Sequence, residues 1–396
     1  PRHALKASSL ETFDISHNYF LHPGKVLWTR GDPGGYGDPP PVVGGVREGS
    51  AIHIAHGHYG VIAGNRIIDP WQLGIFIWGS LTVEIARESS NSYDINITGN
   101  YIQNCRDNGI RLQPENLTDT VYQPEQVRNI SITGNTVVDT DGNAFRINGA
   151  YVSVIGNTIR STVSASGGFI QIPCVEHCVV SGNVMDAGPE PSRGISVRPH
   201  NDTNQAAATR DLVISNNVMR GFIGGINLYG AGDGTEPIED VVIDGNIVTA
   251  GVTGELAGIS AIGCAAKRIT ISNNNVSQRS GSSVEEIAQG IQVDGGGSSS
   301  AEDIIISDNM LHDNGIYAIQ LHDVSRYTVS GNRCFDTRYG VSKSQRWGLD
   351  IQDTDHGLIT GNDFSGNSNA VYNTFPHTDV DLANDDFNVT AHAFAP

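Results

Sequence analysis

One short pattern recurs along almost the whole chain and restricts what the chain can fold into. Two residues that are mostly apolar stand one position apart, followed by two small or polar residues and then asparagine, as in Ile95, Ile97 and Asn100. Asparagine closes the pattern at Asn65, Asn100, Asn135, Asn157, Asn183, Asn217, Asn246, Asn274, Asn309, Asn332 and Asn362. These positions span 297 residues (362 − 65) in ten intervals of 22 to 35. A period of about 20 to 50 residues is typical of solenoids, in which each repeat packs against its neighbours.

Each repeat continues with a second short apolar run and then a third, of the form Gly-Ile-x-Leu-x. Third runs begin at Gly74, Gly109, Gly194, Gly225, Gly258 and Gly290, with variants at Ala318 and Gly348. Successive side chains of a strand point to opposite faces, so Ile110 and Leu112 should point inward and Arg111 and Gln113 outward. The sequence therefore predicts an all-β solenoid of about twelve coils with three short strands each.

Asparagine at the bend between the first two strands suits a stacked solenoid. Its side chain tolerates left-handed backbone angles, and its amide can hydrogen-bond to the equivalent amide one coil away. We therefore expect an asparagine ladder. The repeats favour one domain over residues 1–396, with residues 30–50 as a long loop of the first coil and an N-terminal cap that has been trimmed or replaced by an oligomeric contact.

Composition excludes several kinds of protein. The formal net charge of −19 argues against a nucleic-acid partner. No run of about eighteen apolar residues occurs, which argues against a membrane-spanning helix. The five cysteines are too scattered for a disulfide framework, and Cys178 falls at an inward position of the pattern, where it would fill the core.

Three strands per coil, asparagine at the middle bend and variable loops beside one strand resemble the pectate-lyase-like β-helix superfamily, over residues 13–385. The resemblance implies a right-handed, single-stranded parallel β-helix and a polysaccharide bound along the third strand. It also implies an extracellular or virion-surface location and a monomer or homotrimer. No motif of a single family accompanies it: the Tyr-Gly-x-Asp-Pro-His sequence of mannuronan epimerases is missing, as are the Asn-Thr-Asp and Gly-His-Gly sequences of polygalacturonases.

If the third strand holds the substrate, its outward positions are the candidate binding residues. They carry amides and arginines, which suit sugar hydroxyls and carboxylates. The predicted binding residues are Trp78, Arg111, Gln113, Asn148, Gln171, Asn227, Gln292, Gln320 and Gln352. Arginines on one stripe of so acidic a chain favour an anionic substrate. In the alternative interpretation, Arg111, Arg146 and Arg198 pair with Glu115, Asp141 and Asp202 and only hold loops.

Cleavage of a uronate by elimination needs a cation at the carboxylate, a base for the C5 proton and an acid for the leaving oxygen. Arg111 or Arg146 could supply the first, Arg198 or His200 the second and Tyr229 the third. His200 could equally belong to a turn that leaves its strand. C5-epimerisation remains open beside elimination, and so does a spike or adhesin module that binds glycan without turnover.

Inverting hydrolysis instead needs two carboxyl groups about 6.5 to 9.5 Å apart. Asp294 and Asp350 lie two coils apart, which predicts backbones about 9.6 Å apart on either side of His322. The same cluster could be a solvated acidic edge or a calcium site. Asp139 and Asp141 begin a run of alternating oxygen ligands and are a second candidate for calcium, although the distal glutamate of a calcium loop is missing. The proposed chemistry requires no cofactor.

Overall fold

The computed structural model describes most of the repeat region. The described residues are 4–22, 49–79, 91–114, 124–161, 169–188, 193–198, 209–229, 238–250, 257–263, 266–278, 289–296, 301–337, 345, 347–367, 369–373 and 378–383. The predicted loop over residues 30–50 lies almost wholly outside them, as does His200.

Nearly every described segment is a strand, and the strands fall into three groups by their place in the coil. The first strands are β2 (Phe13–Ser16), β7 (Ser92–Thr98), β10 (Val127–Thr133), β17 (Thr209–Ser215), β20 (Ile238–Asp244), β23 (Ala266–Ser272), β26 (Ala301–Ser307), β29 (Val324–Ser330), β32 (Asp355–Thr360) and β35 (Thr378–Ala383). The second strands are β3 (Tyr19–Leu21), β5 (Arg66–Ile68), β8 (Tyr101–Cys105), β11 (Thr136–Thr140), β13 (Thr158–Arg160), β15 (Val184–Asp186), β18 (Val218–Phe222), β21 (Ile247–Ala250), β24 (Asn275–Gln278), β27 (Met310–His312), β30 (Arg333–Phe335) and β33 (Asp363–Gly366).

The third strands are β1 (Leu5–Leu10), β6 (Leu73–Gly79), β9 (Ile110–Pro114), β16 (Arg193–Val197), β19 (Gly224–Tyr229), β22 (Ile259–Ile262), β25 (Ile291–Asp294), β28 (Tyr317–His322), β31 (Trp347–Gln352) and β34 (Asn369–Asn373). Three longer strands, β4 (Ser50–Ala63), β12 (Phe145–Ile155) and β14 (Ile170–Ser181), run from a third-strand position into the next first-strand position. A 3-10 turn spans Pro124–Gln126.

Each strand pairs in parallel with its equivalents one coil away, which is the arrangement of a parallel β-helix. The second strands form a 12-stranded sheet, in agreement with the predicted number of coils. The first and third strands form one 23-stranded sheet, because the three long strands connect the two faces. The described part of the chain contains no helix long and apolar enough to cross a lipid bilayer.

The core lies inside the coils, as the alternation predicts. Ile110 and Leu112 are fully buried, and Ile75 and Ile226 stack in the same column. Cys178 is also buried and free, and burial raises its thiol pKa to about 12, which agrees with the predicted role as core filler. The four described cysteines are all free thiols.

The predicted asparagine ladder is confirmed and runs from Asn18 to Asn362. Each side-chain Nδ2 donates to the Oδ1 of the next asparagine at 2.9 to 3.0 Å. The expected left-handed backbone, however, belongs to the residue before each ladder asparagine. Gly99, for example, has φ +63° and Asn216 has φ +55°. The turn therefore favours glycine, asparagine or aspartate one position earlier than we predicted, and His17 adopts the same conformation before Asn18.

Candidate functional site

The outward side chains of the third strands form two rows that run parallel to the coil axis. Register partners define row A as His53, Phe76, Arg111, Arg146, Gln171, Ser196, Asn227, Ser260, Gln292, Gln320 and Asp350. Row B, two residues further along each strand, contains Ala55, Trp78, Gln113, Tyr229, Ile262, Asp294, His322 and Gln352. The two rows form one wall, which places most of the predicted site residues on a single surface.

Asn148 is buried, whereas Gln113 is half-buried in row B, and the predicted role of Asn148 in binding stays a prediction. On the side of β14 the register shifts between Arg146 and Asn148, and Asn148 is the partner of Cys174. Its buried side chain donates from Nδ2 to the carbonyl oxygen of Leu112 at 3.2 Å. The extra residue lies on β14, between Gln171 and Cys174, and a bulge of this kind bends the strand that carries it.

Arg111 and Arg146 are register partners in row A, so their guanidinium groups extend from neighbouring strands. Like charges at directly opposed positions destabilise a sheet unless negative charge compensates them. Asp107 supplies some of that charge, with Oδ2 at 3.7 Å from Nη1 of Arg111. Burial raises the pKa of Asp107, and the two guanidinium groups oppose that rise.

Asp107 was not predicted as the partner of Arg111, although it lies one short turn before the third strand. Of the predicted partners, Glu115 and Asp202 fall outside the described residues. Beside the arginines, the row A residue Gln171 accepts a hydrogen bond through Oε1 from Nδ2 of Asn143 at 2.9 Å. This side-chain bond orients one polar group next to the cationic part of the wall.

A second basic group surrounds Tyr229 in the middle of the wall. The guanidinium carbon of Arg193 lies 5.0 Å from the centre of the Tyr229 ring, a cation–π contact. Burial raises the pKa of the Tyr229 phenol, while Arg193 and Arg198 act in the opposite direction. Next to it in row A, Asn227 is fully buried and donates from Nδ2 to Ser260 Oγ at 2.9 Å.

The C-terminal part of the wall is acidic. His322 Nδ1 lies 3.4 Å from Asp294 Oδ1, and His322 Nε2 lies 3.6 Å from Asp353 Oδ2 and 3.9 Å from Asp323 Oδ2. Ligand atoms of Asp294, His322 and Asp323 lie within 4.8 Å of one another, which would suit a divalent cation. Among the described residues, Asp139 and Asp141 belong to no such group of three, so calcium at that turn stays a prediction.

Asp350 is buried between two glutamine side chains. Its Oδ2 accepts hydrogen bonds from Gln320 Nε2 at 2.9 Å and from Gln352 Nε2 at 2.7 Å. Burial raises the pKa of the Asp350 carboxyl, and the two amide bonds and His322 reduce that rise. The group therefore combines a buried position with an ordered surrounding, as a proton donor requires.

The predicted pairing of Asp294 with Asp350 needs correction. Asp294 is in row B and Asp350 in row A, because Gln292 is the row A residue on the same strand as Asp294. The two residues are separated by two coils along the axis and by two residues along the strand. Their backbones therefore lie about 12 Å apart, whereas residues in one row that are two coils apart would be separated by about 9.6 Å. The carboxyl groups would have to lean together to reach the spacing of an inverting pair.

Comparison with known proteins agrees with this geometry. The model of a family described as a right handed beta helix region matches residues 193–387, just under half of the chain. The protein is a right-handed parallel β-helix. No curated protein matches its sequence.

Solved structures share the architecture of this β-helix over most of its length. The A-module of mannuronan C-5 epimerase AlgE6 from Azotobacter vinelandii matches with a TM-score of 0.56 at 15% identity, over 85% of this chain and 88% of that one. PfbA, a surface adhesin of Streptococcus pneumoniae, matches with a TM-score of 0.56 at 14% identity, over 85% and 84%. A mutant tailspike protein of E. coli bacteriophage HK620 in complex with a pentasaccharide gives 0.53 at 13% identity, over 84% and 61%. At these identities the likeness concerns the fold.

The structure also shows the exposure and the neighbours of wall residues, which the sequence pattern could not predict. Trp78 is half-buried, with its ring centre 5.4 Å from that of His56. Gln113 and Gln292 are half-buried in their predicted rows. Arg193 was missed because it precedes Gly194 at the bend, where the period-two alternation of the β-helix strand has not yet begun.

Proposed function

We propose that this β-helix binds an acidic polysaccharide along the wall of rows A and B and cleaves it by β-elimination. The observation that supports this most is the placement of arginines on the wall. Arg111 and Arg146 are neighbours in row A. Arg193 and Arg198 lie two coils beyond Arg146 and close to Tyr229, which is on the next coil. A chain with net charge −19 repels anions as a whole, so a local cationic stripe is what an anionic polymer would need.

Arginine suits this substrate because its planar group can bind a carboxylate through two parallel hydrogen bonds. A uronate carboxylate at Arg111 and Arg146 would also relieve the repulsion between these two register-paired cations. Asp107 already relieves part of that repulsion. The wall is long enough to contact several sugar units, since successive row positions lie about 4.8 Å apart.

In the proposed reaction, the substrate carboxylate is neutralised by Arg146 or Arg111, which makes the C5 proton more acidic. Arg198 or His200 takes that proton, the electron pair forms the C4–C5 double bond, and the bond from C4 to the leaving oxygen breaks. Tyr229 donates a proton to the leaving oxygen. A tyrosine phenol is protonated at neutral pH, as a donor must be, and burial raises the pKa of Tyr229 further.

Structural neighbours support a glycan as the partner. One is an epimerase whose name gives mannuronan as its substrate, and another is a tailspike protein bound to a pentasaccharide. A surface adhesin is a third, which supports a location outside the cell or on a virion surface. A monomer or homotrimer stays our prediction for the oligomeric state.

A panel of acidic polysaccharides tests the proposal. Elimination raises the absorbance near 235 nm through the new unsaturated uronate. The Arg146→Ala variant should lose about a hundredfold or more of that rate, in line with the removal of one charge-stabilising group from an active site. Arg160→Ala is the matched control, since Arg160 lies on the second-strand sheet and is exposed. Wild-type rates in Arg146→Ala would remove Arg146 from the mechanism.

Inverting hydrolysis is a second candidate because Asp350 is buried with a raised pKa, which suits a general acid. It would give new reducing ends without absorbance at 235 nm, and Asp350→Asn would abolish them. Epimerisation would instead exchange the C5 hydrogen with solvent without cutting the chain. Binding with none of these signals would mark a glycan-binding spike or adhesin module.

A further inference from the structure

Three polar atoms on two neighbouring coils of the wall are buried and have no hydrogen-bond partner of good geometry among the described residues. They are Nε of Arg193, Oδ1 of Asn227 and the hydroxyl oxygen of Tyr229. Folded proteins leave few buried polar groups unsatisfied, because each one lost its water on folding and gained nothing in return. Three such atoms within one cluster mark a place where a polar ligand could supply the missing bonds.

The side chains of Arg193 and Tyr229 meet on the pair of neighbouring strands that carries Asn227. Arg193 is the register partner of Gly224, and Tyr229 follows Gly224 by five residues, about 16 Å along an extended strand. The guanidinium carbon nevertheless lies 5.0 Å from the ring centre, so the two side chains must reach toward each other along the strand. Asn227 lies between them along that strand and is 0% exposed.

The flanking row A residues are covered as well. Ser196 and Ser260, the register partners of Asn227 on either side, are 5% and 1% exposed. By contrast, Arg198, which lies near enough to Tyr229 to lower its pKa, is exposed. The wall is therefore closed over a polar floor at this point, with a second cation at the edge of the closed region.

We infer that Arg193, Asn227 and Tyr229 form a closed subsite that recognises one uronate unit, an inference that rests on the proposed function. Arg193 leaves the Tyr229 ring and binds the uronate carboxylate. Its departure uncovers Asn227, whose Oδ1 accepts a hydrogen bond from a sugar hydroxyl. The Tyr229 hydroxyl bonds to the same sugar, and Arg198 adds a second positive charge.

This subsite selects acidic over neutral sugars. A neutral sugar offers no charge to replace the cation–π contact, so Arg193 would stay over Tyr229 and Asn227 would stay covered. A carboxylate offers two charge-assisted hydrogen bonds to the planar guanidinium group and can displace the ring. Arg193 is thus the residue that determines specificity, while Asn227 and Tyr229 hold the sugar.

Titration calorimetry tests the subsite, with polygalacturonate, alginate and hyaluronan as probes and dextran as the neutral comparison. Arg193→Ala should weaken binding of the preferred acidic probe by about tenfold to a hundredfold, and Tyr229→Phe by about threefold to tenfold. The matched controls are Arg210→Ala and Tyr151→Phe, whose side chains are exposed on the first-strand face and should not affect binding.

Thermal unfolding of Tyr229→Phe separates recognition from a structural role. The substitution removes a buried hydroxyl that makes no hydrogen bond of good geometry among the described residues and keeps the ring under Arg193, so the melting temperature should be unchanged or higher while affinity falls. A lower melting temperature together with the weaker binding would make the residue structural and overturn the inference.

The outcomes distinguish the subsite from the proposed function. If the wild type binds and cleaves an acidic probe while Arg193→Ala and Tyr229→Phe bind it equally well, the subsite is wrong and the function stands. If the wild type binds no acidic probe, the function fails and the subsite fails with it.

Discussion

Removing one asparagine from the middle of the ladder should destabilise the protein far more than removing one from its end. Asn217 is fully buried and bonds in both directions along the ladder. It accepts hydrogen bonds from the backbone nitrogen and Nδ2 of Asn183 at 3.0 and 2.9 Å. It donates to the carbonyl oxygen of Val180 and to Oδ1 of Asn246 at 2.9 and 3.0 Å.

The size of the effect follows from the groups that Asn217→Ala leaves without a partner. The backbone N–H and one Nδ2 hydrogen of Asn183 lose their acceptor, and the Val180 carbonyl loses its donor. Each buried unsatisfied group costs about 1 to 3 kcal/mol. A water molecule in the vacated space would recover part of this, so we expect a loss of about 3 to 5 kcal/mol in the free energy of unfolding.

Asn18→Ala is the matched control at the first rung. Asn18 donates to Asn65 and to the Ser16 carbonyl, but its environment is partly exposed, so water can replace the lost bonds. We expect a loss of about 1 kcal/mol or less. Asn217→Asp should cost at least as much as Asn217→Ala, because it removes both donors and buries a charge.

Urea unfolding followed by circular dichroism measures both losses. Hydrogen exchange at the Asn183 amide reports the local effect, which matters because a long repeat array can unfold in stages. If Asn217→Ala and Asn18→Ala lower the free energy of unfolding by amounts within about 1 kcal/mol of each other, the ladder does not hold the coils together as argued.

Two further predictions concern the wall and the bends. Burial raises the pKa of Asp350, so the charged form is disfavoured in the folded protein, and stability is lost as the pH rises from the unfolded-state pKa of about 3.9 through the higher folded-state value. Asp350→Asn should therefore raise the melting temperature at pH 7 and change it little below about pH 3.9; a lower melting temperature at pH 7 would contradict the assignment. Gly225→Ala should cost at least about 1 to 3 kcal/mol in urea unfolding, because its Cβ would lie 2.3 Å from Val248 Cγ1 and 2.6 Å from the Gly258 oxygen. Gly99→Asn should be nearly neutral, since Gly99 has open space around it and the equivalent Asn216 has the same left-handed backbone; an equal loss in both variants would contradict the steric explanation.

The fold could be predicted from the sequence because its constraints repeat. Every coil must bury the same columns, so the inward positions of Ile110 and Leu112 follow from alternation alone. The ladder followed from the spacing of asparagine for the same reason. The left-handed residue was placed one position late because a Gly-Asn pair contains two residues that tolerate that conformation, and only the backbone shows that Gly99 adopts it.

The site was predictable only where the wall keeps that regular register. Arg111, Arg146 and Gln171 fall in one row as expected. Asn148 is buried beside a register shift between β12 and β14, and a shift of one residue is invisible to a pattern of period two. The separate rows of Asp294 and Asp350 could have been found, since one is the second and the other the first outward residue of its strand.

Some polar groups of the wall are placed in ways that do not stabilise a solenoid. Paired cations at Arg111 and Arg146 oppose one another across a strand pair, and among the described residues the buried oxygens of Asn227 and Tyr229 make no hydrogen bond of good geometry. The repeat pattern, the strand pairing and the core packing of this chain all favour the same fold. Polar groups that do not stabilise that fold are therefore best explained by a ligand that binds them. An acidic sugar carries both a carboxylate, which the arginines of the wall can bind, and hydroxyl groups, which the buried oxygens can bind, on one molecule. A neutral glycan would offer hydroxyl groups alone and gain nothing from the charge of the arginines.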